Sequence, residues 1–171
     1  MDNFTAVFFI FGAKYAIILS FIVGGVYFFQ SSREEQKRFA LFAAIALPLM
    51  YITAKIGGHL YDNPRPFVVG HFTPLIAHDP DNGFPSDHTL LASGIAAAVF
   101  LFRRRIGLIL WVIALVVAVS RVLVGVHHPI DVIGSMVIAL TVSLGAFFTL
   151  NHTKRKKFDN SLKERTMKNP Q

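Results

Sequence analysis

The sequence predicts an all-α, polytopic membrane bundle of about five transmembrane helices. Three observations carry that expectation. The 171 residues are 53% hydrophobic and only 16% charged, where a soluble domain carries roughly 25% charge. Mean hydropathy is +0.51. Five apolar stretches, at about 4–29, 39–60, 86–102, 106–126 and 129–150, are each long enough to cross a bilayer. The chain has no cysteine, which excludes a disulfide framework, a thiolate metal site and a catalytic thiol together.

The first stretch opens Met1-Asp2-Asn3 and lacks the basic start of a secretory signal, so it is expected to be mature structure. Lys14 lies within it. Either it is an intramembrane charge with a role, or residues 4–13 lie at the interface and Lys14 snorkels. The third stretch is the shortest and contains Ser93 and Gly94. It is bounded by the turn-rich segment 61–85, expected to be an irregular or re-entrant loop, and by Arg103. Residues 1–150 form one membrane domain; 151–171 form a basic tail whose Lys154-Arg155-Lys156-Lys157 run fits an anionic-lipid and topology signal better than a partner site.

The formal charge is +7, and its location decides its meaning. Arg33, Lys37 and Arg38, the run Arg103-Arg104-Arg105 and seven cations after Leu150 put 13 of the 17 Lys and Arg on one face. By the positive-inside rule that face is cytoplasmic, with the tail on it. The bilayer is therefore the expected partner, and with no aromatic-interleaved basic groove nucleic acid is not. The opposite, extracytoplasmic face receives the 61–85 loop, where Arg65 is the one cation, and six of the seven His lie at or near it.

That face carries three motifs. In Asn63-Pro64-Arg65-Pro66-Phe67, flanking prolines stiffen the support of Arg65, which suits an oxyanion clamp or an interfacial anchor. In Phe84-Pro85-Ser86-Asp87-His88-Thr89, Ser86 can cap the helix that follows, and a helix N-terminus attracts phosphate. In the third, Ser120-Arg121 precedes His127 and Asp131. Pro129 fits a first helical position, which places Asp131 near the third, able to reach back to His127. A carboxylate on one imidazole nitrogen leaves the other free as nucleophile or base. Topology lets two Arg, two His, a Ser, a carboxylate and two helix N-termini meet, as a phosphate ester or anhydride requires. His59, His71, His78, His88, His127 and His128 could instead supply zinc ligands, but Arg65 and Arg121 would repel a cation.

The set NPRPF, PSDH and SRVLVGVHHPID resembles the three signature motifs of the membrane branch of the type 2 phosphatidic acid phosphatase superfamily, and within it the bacitracin-resistance type of undecaprenyl-diphosphate phosphatase. The resemblance covers about residues 50–140. It implies that His127 attacks phosphorus to give a phosphohistidine, that Asp131 orients it and that His88 protonates the departing group. It also implies that Arg65, Arg121, Ser86 and backbone amides near Asp87 hold the phosphoryl oxygens, without metal or other cofactor. Two departures stand out. The family pattern places a Lys seven residues before the Arg-Pro pair, where this chain has Gly58, with Lys55 one helical turn away as a substitute. Asp87 also replaces the Gly common in the second motif, as the bacitracin-resistance type allows.

The resemblance thus implies an integral-membrane diphosphatase at the outer leaflet of a bacterial plasma membrane, converting undecaprenyl diphosphate to the monophosphate and recycling a cell-wall lipid carrier. The alternatives are the same chemistry on phosphatidylglycerol phosphate or phosphatidate, a non-catalytic anionic-lipid binder, or a zinc-dependent membrane enzyme. Nothing in the sequence reads oligomeric state.

Overall fold

The computed structural model describes residues 2–168 and contains six helices there: α1 (Asn3–Gln30), α2 (Arg33–Leu60), α3 (Pro66–Val69), α4 (Asp87–Phe102), α5 (Arg104–Leu123) and α6 (Pro129–Lys168). Among the described residues no strand forms; the one extended pairing is an isolated bridge between Pro64 and Asn82. Four helices are long and apolar enough to cross a membrane, and α4 is a shorter apolar one.

The boundaries follow local chemistry. α2 begins at Arg33, ahead of the expected apolar start, because Ser32 Oγ accepts from Glu35 N at 3.3 Å and Glu34 and Glu35 suit the positive helix start. α5 stops early, at Leu123, because Gly125 takes a left-handed φ of +83° that turns the chain back. α1 is continuous from Asn3, so residues 4–13 are part of the first helix. Lys14 is exposed on it and lines no part of the polar cleft described below. α6 runs past residue 150 without a break to Lys168. The tail is rich in Lys and Arg, which favour helix; most of its side chains, and residues 169–171 altogether, lie outside the described residues.

α4 is the hub: α1, α2, α5 and α6 all pack on it. Its composition explains why. Ala92, Ser93, Gly94, Ala96, Ala97 and Ala98 are all buried, and small side chains let helices approach where lipid offers no hydrophobic drive to associate. At Gly94 an added Cβ would sit 2.8 Å from Met50 Sδ of α2. The outward faces carry Phe4, Phe8, Phe11, Ile22, Leu108, Val112, Ile133 and Phe148, all exposed, as a lipid-facing surface does.

One end of the bundle is tied by Glu35. Arg103 holds it through Nε at 3.1 Å and Nη2 at 3.2 Å, and Tyr27 donates its hydroxyl at 3.1 Å, which joins the α1–α2 and α4–α5 turns. From there the 16 residues of α4 reach only about 24 Å, less than a hydrocarbon core of about 30 Å, while α2 reaches about 42 Å. Near the end of α2, Gly58 meets Phe84 and Pro85 just ahead of α4, which leaves a shallow recess that the 61–86 segment covers.

Candidate active site

The recess is closed by one loop folded back on itself. Asn82 does most of the folding: its Oδ1 accepts from Asn63 N at 3.0 Å and Phe84 N at 2.9 Å, and its Nδ2 donates to Gly58 O at 2.7 Å and Tyr61 O at 3.1 Å. Gly83 N donates to Asn63 O at 2.9 Å. These bonds pin both halves of the loop to the end of α2 and turn Arg65 inward.

Arg65 is buried, 5% exposed. Its Nε donates to Asp81 Oδ1 at 2.7 Å, and its Nη1 donates to Val126 O at 2.9 Å and lies 3.2 Å from His127 Nε2. Arg121 reaches the same nitrogen from the end of α5, with Nη2 3.2 Å from His127 Nε2. It is 3% exposed, and its Nε has no partner. Two desolvated guanidinium groups thus converge on one imidazole nitrogen, and one keeps a buried donor unused. A buried donor without a partner costs about 1–3 kcal/mol, and an oxyanion placed against the pair would satisfy it.

The other side of His127 faces Asp131. Nδ1 lies 3.4 Å from Asp131 Oδ2 and 3.5 Å from Arg65 Nη1; in the tautomer with its proton on Nδ1 the ring faces the carboxylate with an N–H and turns the Nε2 lone pair toward the arginines. Asp131 is the third residue of α6 and wholly buried. Its Oδ2 also accepts from His128 N at 2.8 Å, as a residue at that position of a helix does. Its Oδ1 accepts from Asn63 Nδ2 at 2.7 Å. Burial, reinforced by the Arg121 and Arg65 charges, holds the His127 imidazole below the ordinary histidine range, against the upward pull of Asp131. That environment biases the His127 imidazole toward its neutral form.

A cleft of about 480 Å³ opens from His127 toward α2. Besides the arginines, Tyr51, Lys55, Gly58 and His59 of α2, His78 and Asp81 of the loop, and Asp87 and His88 of α4 line it. His88 is half-buried there, at the helix start. Gly58, at the place of the family Lys, is explained by contact: a Cβ there would stand 2.9 Å from Phe84 O. Lys55 sits one turn back with Nζ 5.4 Å from the Tyr51 ring centroid, within cation–π range.

Ser86 is not brought into the cleft. Its side chain is fully buried, makes no capping bond, and its hydroxyl accepts from Thr89 Oγ1 at 3.1 Å. The expected cap is not formed: the Ser86 backbone N–H donates to Asp131 O at 3.4 Å and its carbonyl accepts from Ser135 Oγ at 3.0 Å. Ser86 joins α4 to α6. His128 turns away, with Nε2 3.2 Å from Pro64 O, and His71 is exposed. Among the described residues no three His, Asp or Glu side chains gather as a metal-ion cradle.

Asp81 and Asn82 escape a reading of the sequence, which meets Asn63 only as part of the Arg65 motif and His78 only as a candidate zinc ligand. Asn82-Gly83 reads only as a turn, and nothing local marks Asn63 as a partner of a residue 68 positions away. His78 stands with its ring centroid 6.1 Å from that of His127. Burial, then the two arginine charges, holds its imidazole below the ordinary range. For Asp81, burial pushes the carboxyl up, but the Arg65 hydrogen bond and charge outweigh it and leave it below the carboxylate norm.

Comparison with known proteins gives a consistent picture. Residues 38–156 match the model of the PAP2 superfamily. The chain is 34% identical over 128 residues to a protein named bacitracin transport permease protein BcrC from Bacillus licheniformis, covering 74% of this chain and 63% of that relative. It is 34% identical over 138 residues to undecaprenyl-diphosphatase BcrC of Bacillus subtilis (strain 168), covering 78% and 68%. The chain thus spans less than two thirds of the length of the first of these relatives. Among solved structures it shares its fold with Aquifex aeolicus LpxE, at a TM-score of 0.66 and 22% identity over 86% of this chain and 87% of that one. A PAP2-type phosphatidylglycerolphosphate phosphatase from Bacillus subtilis superposes at a TM-score of 0.55 and 22% identity, over 94% and 79%.

Proposed function

Because the chain belongs to the PAP2 superfamily, we propose that it is an integral-membrane diphosphatase that hydrolyses undecaprenyl diphosphate to undecaprenyl phosphate and inorganic phosphate through a phosphohistidine. The observation that carries this reading is the surroundings of His127: Asp131 behind Nδ1, two buried guanidinium groups at Nε2, and an open cleft beyond. A binding protein needs the cations but has no use for a nucleophile with an orienting carboxylate. The choice of substrate leans on the Bacillus subtilis relative, itself named an undecaprenyl-diphosphatase.

In the first step the terminal phosphate displaces the guanidinium contacts from Nε2 and takes Arg65, Arg121 and the first amides of α4 as donors. The Nε2 lone pair attacks the terminal phosphorus, and the bond from phosphorus to the bridging oxygen breaks. That oxygen keeps the electron pair and takes a proton from His88, so undecaprenyl phosphate leaves. The anionic charge of the diphosphate in the cleft is what favours a protonated His88. Asp131 stabilises the positive ring that develops on His127. In the second step a water gives His88 a proton and attacks the phosphohistidine; the nitrogen–phosphorus bond breaks, Nε2 regains its pair, and orthophosphate departs.

The recess at the end of α2 suits a head group whose tail stays in lipid, with Lys55 meeting the proximal phosphate at the mouth. Charge bias supports a reading in which this end of the bundle faces the extracytoplasmic side of a bacterial plasma membrane and the basic tail the cytoplasm. The test is phosphate release from undecaprenyl diphosphate by purified wild type and His127→Ala in detergent with excess chelator. Release by wild type alone is expected. Equal release by both sinks the nucleophile, and a large preference in kcat/KM for a glycerophospholipid phosphate overturns the substrate.

A further inference from the structure

We infer that Asn63 is a positioning residue of the proposed reaction, holding the Asp131 carboxylate so that it in turn aligns His127; the inference rests on the phosphohistidine reading above. Asp131 has two oxygens and both are used: Oδ2 by His128 N and the Nδ1 side of His127, Oδ1 by Asn63 Nδ2 at 2.7 Å. A carboxylate fixed at one oxygen only can rotate about its last bond. Fixed at both, it presents Oδ2 to the imidazole in one orientation.

The bond is built rather than incidental. Asn63 is held by its backbone, its N–H to Asn82 Oδ1 and its carbonyl to Gly83 N, so the loop delivers its side chain to a carboxylate that has no solvent to bond instead. Gly83 closes the same corner, since a Cβ there would stand 3.0 Å from Asp131 Oδ2. The separation of roles makes a clean test: the backbone of Asn63 folds the loop, and the side-chain amide serves Asp131. A side-chain substitution removes the second role and leaves the first.

His127 and His128 ahead of α6 contact Asp131 directly, and beyond His127 the cleft carries Lys55 and His59 of α2, Arg65, His78 and Asp81 of the loop, Asp87 and His88 of α4 and Arg121 of α5. The Asn63 amide donates to Asp131 Oδ1. Asn63→Leu removes the donor while keeping the same branched side-chain skeleton. Asn63→Asp places two carboxyl groups at hydrogen-bond distance, which must share a proton. While that proton is bound it replaces the lost N–H; once it leaves, the pair repels.

The experiment compares wild type, Asn63→Leu and Asn63→Asp on undecaprenyl diphosphate across pH, with thermal unfolding and NMR of isotope-labelled histidine on the same samples. Asn63→Leu is expected to lose about 10- to 100-fold in kcat, the range for a charge-assisted hydrogen bond, with KM little changed and melting lowered by the unpaired Asp131 Oδ1. Asn63→Asp is expected to keep more activity at acid pH and lose it relative to wild type as pH rises. Titration of His127 moves in both variants. Unchanged kcat and unchanged His127 titration in both variants overturn the inference, as does a loss confined to melting temperature. If wild type itself releases no phosphate, the proposed reaction fails, and the His127 titration alone then decides whether Asn63 positions it.

Discussion

Replacing Arg121 by Leu separates function from stability. The Arg65 and Arg121 nitrogens each stand 3.2 Å from His127 Nε2, so they are no more than 6.4 Å apart, twice 3.2 Å. At an effective dielectric of about 20 their repulsion is about 2.6 kcal/mol or more, part of it offset by Asp81 on Arg65. Arg121 also carries a buried Nε–H with no partner, a further cost of about 1–3 kcal/mol. Arg121→Leu removes both penalties, so the folded protein without substrate is expected to be as stable as wild type or more so, by about 1–2 kcal/mol. Activity moves the other way. Losing one preorganised oxyanion donor costs about 2.7–4 kcal/mol, or 100- to 1,000-fold in kcat, because the charge it meets develops on the phosphoryl oxygens in the transition state. Arg121→Lys keeps the charge but loses the planar fork, and is expected between the two. Initial rates of phosphate release in detergent give kcat, and thermal unfolding with and without orthovanadate gives stability and anion binding. Wild type is expected to melt higher with the anion, Arg121→Leu not. A variant that keeps kcat within tenfold, or that loses more than about 2 kcal/mol of stability, refutes the reasoning.

Other expectations follow from the same geometry. His127 must be unprotonated to attack, and its imidazole sits below the ordinary histidine range. The acid limb of kcat/KM therefore lies below about 6.5, activity being lost as pH falls through the lowered value; an acid limb above 6.5 contradicts this. Restoring the family residue with Gly58→Lys is expected to impair rather than improve the enzyme. Its Cβ would meet Phe84 O at 2.9 Å, so lower melting and lower kcat together are predicted, and a gain in kcat/KM would show that the loop gives way. Gly83→Ala puts a methyl group 3.0 Å from both Asp131 Oδ2 and Asn63 O, and a fall in kcat of about tenfold with KM unchanged is expected from steady-state rates. Lys55→Gln removes a cation at the cleft mouth, and a rise in KM of a few fold at low ionic strength, shrinking with added salt, is the signature of such an exposed charge.

How much of this was legible in the sequence depended on the range of the interaction. The long helices were legible because hydropathy is a property of consecutive residues, and α1 fell within one residue of its expected bounds. Their polar ends were less so: α2 starts six residues before its apolar run because Ser32 caps it. His127 and Asp131 were readable as a pair since a helix start fixes the geometry between positions four apart. Ser86 misled because its local pattern is that of a cap, while the deciding contacts, Asp131 O and Ser135 Oγ, come from α6. Asn63 was visible only as part of the Arg65 motif and Asn82 not at all, because each acts through partners that only the folded loop supplies. That contrast has a mechanical origin. Phosphate-binding arginines can be recognised by type, since few other side chains do their work. An amide that steadies a carboxylate is one of many polar residues in a turn-rich loop, and only the burial of Asp131, which denies it water, makes that particular amide matter.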